Sequence, residues 1–434
     1  MLSFGCLCLL LGVGYYLRNK VGLFRKLYLP ASVVAGLLGL VLIQTFSLFD
    51  TVSLEACYSG WSKIPGLLIN IVFACLFLGM VLPKLSKICD SVGRQLAYGQ
   101  IVAWGQYVIG CAVVLLLLKP LFNVPELFAG IMPVGFEGGH GTAAGMGPVF
   151  NDLGWAAGQD LALASATGGM ISAIIIGMAF INWAVKREYV SKKTKVEEVE
   201  NIVPVTNDTI ESLSLHFVVI GVSILLGILM QKGLLFVASS FLSGKGQQVF
   251  MSFPLFPLCM IGGIFVQICL TRFNKTKYVK HRTILKIQNV ALDFLIVAAI
   301  ATIKVQVIAQ MWIPLVILIL AGILWNVFCL VLLARRVFKD AWFERAIAEL
   351  GQSMGVTATG LLLLRVVDPN YETPAAEAFA GKQLFHEPFM GGGLWTSMAI
   401  PLLALWGGWV VFFISLSAIC FWSIIIFFIR IKQK

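Results

Sequence analysis

Residues 135–150 read "GFEGGHGTAAGMGPVF". Glu137 and His140 bracket two glycines, and more glycines and Pro148 follow before Phe150. A helix facing lipid carries neither an acid nor an imidazole at its centre, so the surroundings of this stretch decide how it is read.

Those surroundings are strongly apolar. The chain is 59% hydrophobic and 12% charged, against roughly 25% charged in an average soluble domain. Apolar runs lie near 2–17, 29–46, 64–82, 97–118, 161–184, 216–236, 254–271, 287–303 and 306–333, with a last one over 391–429. The last is too long for one straight crossing of a core about 30 Å thick. Gly407 and Gly408 divide it, so it is one long bent helix or two short ones. The fold class is an all-α polytopic membrane protein of about ten transmembrane helices.

The net charge of +11 would suggest a nucleic-acid partner in a soluble chain, but here the basic residues sit in short loops and report topology. Clusters at Arg18–Lys26, Lys84–Arg94, Lys186–Lys195, Arg272–Arg282 and Arg335–Lys339 mark one side, with few basic residues, such as Lys63, Lys245 and Lys304, on or beside the other. That places residues 186–215 in the cytoplasm as a linker and the N-terminus outside. No basic stretch precedes the first apolar run, which reads as a span and not as a cleaved signal. The ten cysteines show no C-x-x-C spacing and read as small buried hydrophobes. The four histidines fall in four separate elements without H-E-x-x-H or G-x-S-x-G, so neither an enzyme nor a cofactor is expected.

With this topology the fourth span ends outside and the fifth begins there, so residues 125–152 must dip in and return. Glu126–Phe136 covers about 16 Å as helix, leaving the tip Glu137–Gly141 near mid-membrane, where irregular backbone stands only against protein or a watery cavity. Thr142 is positioned to cap the returning half-helix, whose free N–H groups suit a carboxylate. The second half repeats the pattern over 341–367: "AWFERAIAEL", the tip "GQSMGV", then "TATGLLLLRVVDP". A shift of 215 positions lays "GGHGTAAG" on "SMGVTATG", matching Thr142 with Thr357, Ala143 with Ala358 and Gly145 with Gly360. Five spans in the first half invert the second. The plan is a 5+5 inverted repeat with two re-entrant hairpins, halves 1–185 and 216–434, as in secondary transporters.

The expected substrate contacts are Gly138, Gly139, His140, Gly141 and Thr142 at the first tip, and Ser353, Gly355, Thr357 and Thr359 at the second. Glu137, Gln352, Asp293 and Asn289 supply oxygens for an ion. Plainer roles stand beside these: His140 capping a turn or pairing with Glu137, Glu137 tying the hairpin to a neighbour, Asp293 lying at the interface. Arg365 falls near the cytoplasmic surface, where snorkelling or a pair with Asp368 is expected. A carrier of small organic anions coupled to Na+ or H+ fits these features. A channel built from paired re-entrant loops is the other class.

"GGHGT" at 138–142, "LPASVVAGLLGL" at 29–40, "QNVALDFL" at 288–295 and the order of elements resemble the bacterial sodium/glutamate symporters. The resemblance implies Na+-driven glutamate uptake across the inner membrane by a homodimer, in which a mobile hairpin-bearing unit carries substrate past a fixed scaffold, an elevator mechanism. It also exposes departures. Where that family's second hairpin carries a His and a Gly-Ala-Thr-Pro-Thr run, this chain has Gln352, Ser353 and "GVTATG", and Asp293 replaces a small polar residue.

Overall fold

The structure, a computed structural model, describes residues 2–46, 58–80, 90–190, 210–275 and 278–431. Most of the linker, residues 191–209, and residues 81–89, which include the end of the third apolar run, lie outside them. Among the described residues seven helices are long and apolar enough to cross a membrane, or eight if Gly244–Met251 and Phe256–Arg272, bent by 64°, form one span. Ala31–Thr45, Glu126–Phe136 and Leu394–Leu405 are shorter apolar helices.

In the first half, α1 is Leu2–Lys20, α2 Ala31–Phe46 and α3 Ile64–Cys75. Helix α4 runs from Asp90 to Val113 and on to Phe122, α5 is Ile131–Phe136, α6 Gly139–Gly145 and α7 Ala157–Lys186. The second half continues with α8 at Ile210–Phe241, α9 at Phe256–Arg272 and α10 at His281–Ala301. Then come α11 from Trp312 to Phe328 and on to Val337, α12 at Trp342–Val367, α13 at Ala375–His386, α14 at Leu394–Leu405 and α15 at Gly408–Ile431.

Packing sorts these helices into two groups. α1, α2 and α3 pack with α8, α9 and α10, whereas α4 to α7 pack with α11 to α15. The groups meet where α6 lies on α3 and α10, and through the short helices Gly244–Met251 on α14 and Val305–Gln310 on α7. The α6 contact is made by small residues: a β-carbon on Gly145 would lie 2.6 Å from Ile69 of α3, and one on Gly141 3.3 Å from Leu292 of α10.

Both tip segments are broken. Between α5 and α6 the chain passes Gly139 at φ +64°. Inside α12 the helical path fails at Gly355 and at Val356, whose φ is +67°. The second break reverses the chain, because a β-carbon on Gly351 would lie 2.7 Å from the Cα of Gly360, a residue about 13 Å further along an unbroken helix. A π-helical turn interrupts α4 at Val114–Leu118 and α11 at Cys329–Leu333, again 215 residues apart. The Arg335 guanidinium lies 4.6–5.4 Å from the rings of Trp183, Tyr189 and Trp342, tying the end of α7 to the start of α12.

Several expected boundaries move. The 391–429 run is two helices: Gly407 sits at φ +90° and the Gly408 amide donates to Glu126 Oε2 at 2.5 Å, which ends α14 and starts α15. The sixth helix begins at Ile210, inside the expected linker, and Val305–Gln310 separates from α11. Thr142 does not cap α6: that helix starts at Gly139, which puts Thr142 one turn inside it, and its hydroxyl donates to Gly391 O at 3.2 Å.

Replacing Gly145 by Leu forces a branched side chain into Ile69, and overpacking of this kind costs about 1–3 kcal/mol. The thermal unfolding midpoint of Gly145→Leu in detergent should fall clearly below wild type. Gly12→Leu, at a position with nothing within 4 Å, should leave it unchanged.

Candidate functional site

The two breaks face each other. A β-carbon on Gly139 would collide with Val356 Cγ1, so the first tip accepts the second only because Gly139 has no side chain. Beside this contact Gln352 Nε2 donates to Glu137 Oε1 at 2.8 Å, joining two residues that are 215 positions apart.

Glu137 is buried. Besides Gln352 it meets His386 of α13, whose Nε2 lies 2.5 Å from the same oxygen. Glu137 Oε2 is buried without a hydrogen-bond partner. The state of His386 follows from its neighbours. The Trp104 indole, which can only donate, donates to Gln100 Oε1 at 2.9 Å and thereby turns Gln100 Nε2 toward His386 Nδ1 at 3.3 Å. Nδ1 must then accept, so His386 is the neutral tautomer that donates from Nε2 to the carboxylate.

On its other side Gln352 accepts from Lys382 Nζ at 3.0 Å, and Lys382 pairs with Glu349 at 2.7 Å. Gln95 of α4 donates to the second Glu349 oxygen at 2.9 Å. A continuous polar chain therefore runs from α4 through α12 and α13 to the first tip. A separate group lies at the head of the returning part of α12, where Thr357 donates to Glu387 Oε1 at 2.8 Å and Gln383 donates to both.

The residues expected from sequence divide three ways. Gly138, Gly139, Gly141, Thr142, Gly355 and Thr357 lie at or beside the meeting tips. Ser353 and Thr359 use their hydroxyls within the protein, Ser353 on Asn326 Oδ1 at 2.5 Å and Thr359 on Gly355 O. His140 does not pair with Glu137: its Nε2 is 3.0 Å from Thr167 Oγ1, and since Thr167 gives its own proton to Leu163 O, the imidazole is the donor.

Of the four ion candidates only Glu137 and Gln352 come together. Asp293 accepts from Tyr15 of α1 at 3.1 Å, and Asn289 is exposed. Leu292 of α10 faces the tip at Gly141, and its neighbour Asp293 points about 100° around the helix. Arg365 is exposed, while Asp368, its expected partner, caps the next turn through the amides of Glu372 and Thr373 at 2.8 and 2.9 Å.

The sequence reading missed Lys382, Gln383, His386, Glu387 and Glu349. A signal was present: Lys382 with His386 and Gln383 with Glu387 are each four residues apart, so both pairs share a helix face just before the last apolar run.

Residues 1–373 match the sodium/glutamate symporter family. The chain belongs to that family. It is 22% identical over 384 residues to the sodium/glutamate symporter of Haemophilus influenzae (strain ATCC 51907 / DSM 11121 / KW20 / Rd), an alignment covering 86% of this chain and 89% of that protein. As a member of the symporter family the chain is a multi-pass membrane transporter and not an enzyme. Lys382, His386 and Glu387 lie beyond the residues that match the family.

Losing a hydrogen bond to a charged group costs about 1.5–3 kcal/mol, roughly tenfold to a hundredfold in a rate or an affinity. His386→Ala should lower transport by that order with the protein still monodisperse, and His386→Gln should recover part of it. His140→Ala, which removes a bond to a hydroxyl only, should have a smaller effect. Uptake assays at matched protein density check the ranking.

Proposed function

We propose that the chain carries glutamate, or a closely related amino dicarboxylate, into a bacterial cell together with Na+. The observation that carries this reading is the junction of two broken helices at Gly139 and Val356 beside the buried Glu137–Gln352 bond. Helix starts at the two breaks offer unpaired N–H groups and a positive dipole end, which suits substrate carboxylates. Glu387, set between Thr357 and Gln383, repels an anion unless it meets the ammonium group of an amino acid. The unpartnered Glu137 Oε2 is the acceptor for Na+.

Alternating access follows the two packing groups. In this reading α1–α3 and α8–α10 form the scaffold, and the hairpin-bearing group slides along it over the small-residue contact of α6. The first three helices of each half fall in the scaffold, and the paired π-helical turns and the Glu137–Gln352 bond all recur at the same 215-residue spacing. Both features support two inverted halves, 1–185 and 216–434, with re-entrant hairpins at 125–152 and 341–367. The N-terminus outside, an inner-membrane location and a homodimer belong to the same reading.

Proteoliposomes with labelled L-glutamate and separately imposed gradients test it. Accumulation should follow an inward Na+ gradient. Glutarate, the same skeleton without the ammonium group, should compete at least about tenfold less well than glutamate, the worth of one charge-assisted hydrogen bond. Accumulation driven by a proton gradient in the absence of Na+ overturns the ion assignment, and equal competition by glutarate removes Glu387 from the site.

A further inference from the structure

The Na+-coupled reading leaves a fully buried ion pair unused. Lys382 and Glu349 have side chains with no exposed surface, and their ion pair spans 2.7 Å. Space for it is built into α4. A β-carbon on Gly99 would lie 2.5 Å from both Lys382 Cε and Glu349 Oε1, and Gln95, one turn earlier, holds the other Glu349 oxygen.

The remaining acceptor of the ammonium is Gln352 Oε1, the amide whose nitrogen serves Glu137. Two carboxylates therefore flank one glutamine. Lys382 neutralises Glu349. His386 is neutral by the hydrogen-bond sequence that begins at Trp104, so it adds no positive charge to balance Glu137, which has amide and imidazole donors on one oxygen and nothing on the other.

An ammonium and a hard monovalent cation ask the same of their surroundings: oxygen acceptors and negative charge. We propose that Lys382 is a tethered cation standing between Glu349 and Gln352, where a further coupling ion would otherwise be held. The inference rests on the Na+-coupled reading above and specifies how many ions it takes. A tethered charge balances Glu349 in every state of the cycle but crosses no gradient, so it adds no driving force. Glu137 alone recruits a mobile cation at this cluster.

The test uses the full chain in detergent and in proteoliposomes, with choline replacing Na+ to hold ionic strength. Three proteins are compared: wild type, Lys382→Met, and Lys382→Met combined with Glu349→Gln. In Lys382→Met the uncovered Glu349 should take up Na+. The Hill coefficient for Na+ activation of uptake should rise by about one, and the unfolding midpoint should climb more steeply with Na+ than in wild type, as expected for a ligand bound only by the folded state. Removing the carboxylate as well should return both to wild type.

A Lys382→Met protein with the wild-type Na+ dependence, or one that unfolds equally in Na+ and in choline, overturns the proposal and leaves the pair a structural tie. Rescue of Lys382→Met by acid instead of Na+ overturns it too, since a proton then covers Glu349. Wild-type protein indifferent to Na+ in both measurements refutes the parent reading, an outcome distinct from any in which only the variant fails to respond.

Discussion

A carboxylate set among apolar helices must find its hydrogen bonds within the protein, and Glu137 imposes that requirement on everything around it. An ionised group left alone in such surroundings costs several kcal/mol or more. Here it is served by Gln352 from the opposite tip and by His386 from α13. Each of those donors is in turn oriented by a further partner, Lys382 for the glutamine and Gln100 for the imidazole, and Trp104 fixes Gln100. The position of one acid thus determines the amide orientations and the histidine tautomer across four elements.

The same junction explains the backbone. A β-branched residue at positive φ is strained by about 1–3 kcal/mol, and such strain persists only where the surroundings over-determine it. Val356 is held there from both sides, by its own folded-back helix through Gly351 and Gly360 and by the bare backbone of Gly139 in front. With only the Val356 side chain between them, the starts of two helices, and the backbone N–H ends they carry, are brought close to one place. That is what a transported anion needs from a site that must also let it go.

Much of this was legible in the residues. The apolar runs marked the helices, the basic loops suggested a topology, and the acid between glycines at 135–150 pointed to a broken helix inside the protein. The partners of that acid were less legible because they come from distant parts of the chain. Glu137 looked toward His140, one turn away, yet its histidine is His386, 249 residues on. Residues 375–386 have neither the length nor the hydropathy of a span, so α13 drew no attention despite its two i,i+4 polar pairs. Asp293 and Asn289 show the converse. Their chemistry suited an ion, but a rotation of one residue around α10 gives the tip Leu292 instead.

The π-helical turns in α4 and α11 bear on the history of the chain. A turn closed by i→i+5 bonds accommodates one residue more than the α-helical path and rotates every later side chain relative to those before it. An insertion of that kind in only one of two equivalent halves would have broken their register, yet the spacing of 215 residues between the turns equals that between Glu137 and Gln352 further along. On the proposed reading of the chain as two inverted halves, the extra residue was already present in the ancestral half before it was duplicated. The divergence of the two tips, acid in one and amide in the other, came afterwards on a helix geometry both had inherited.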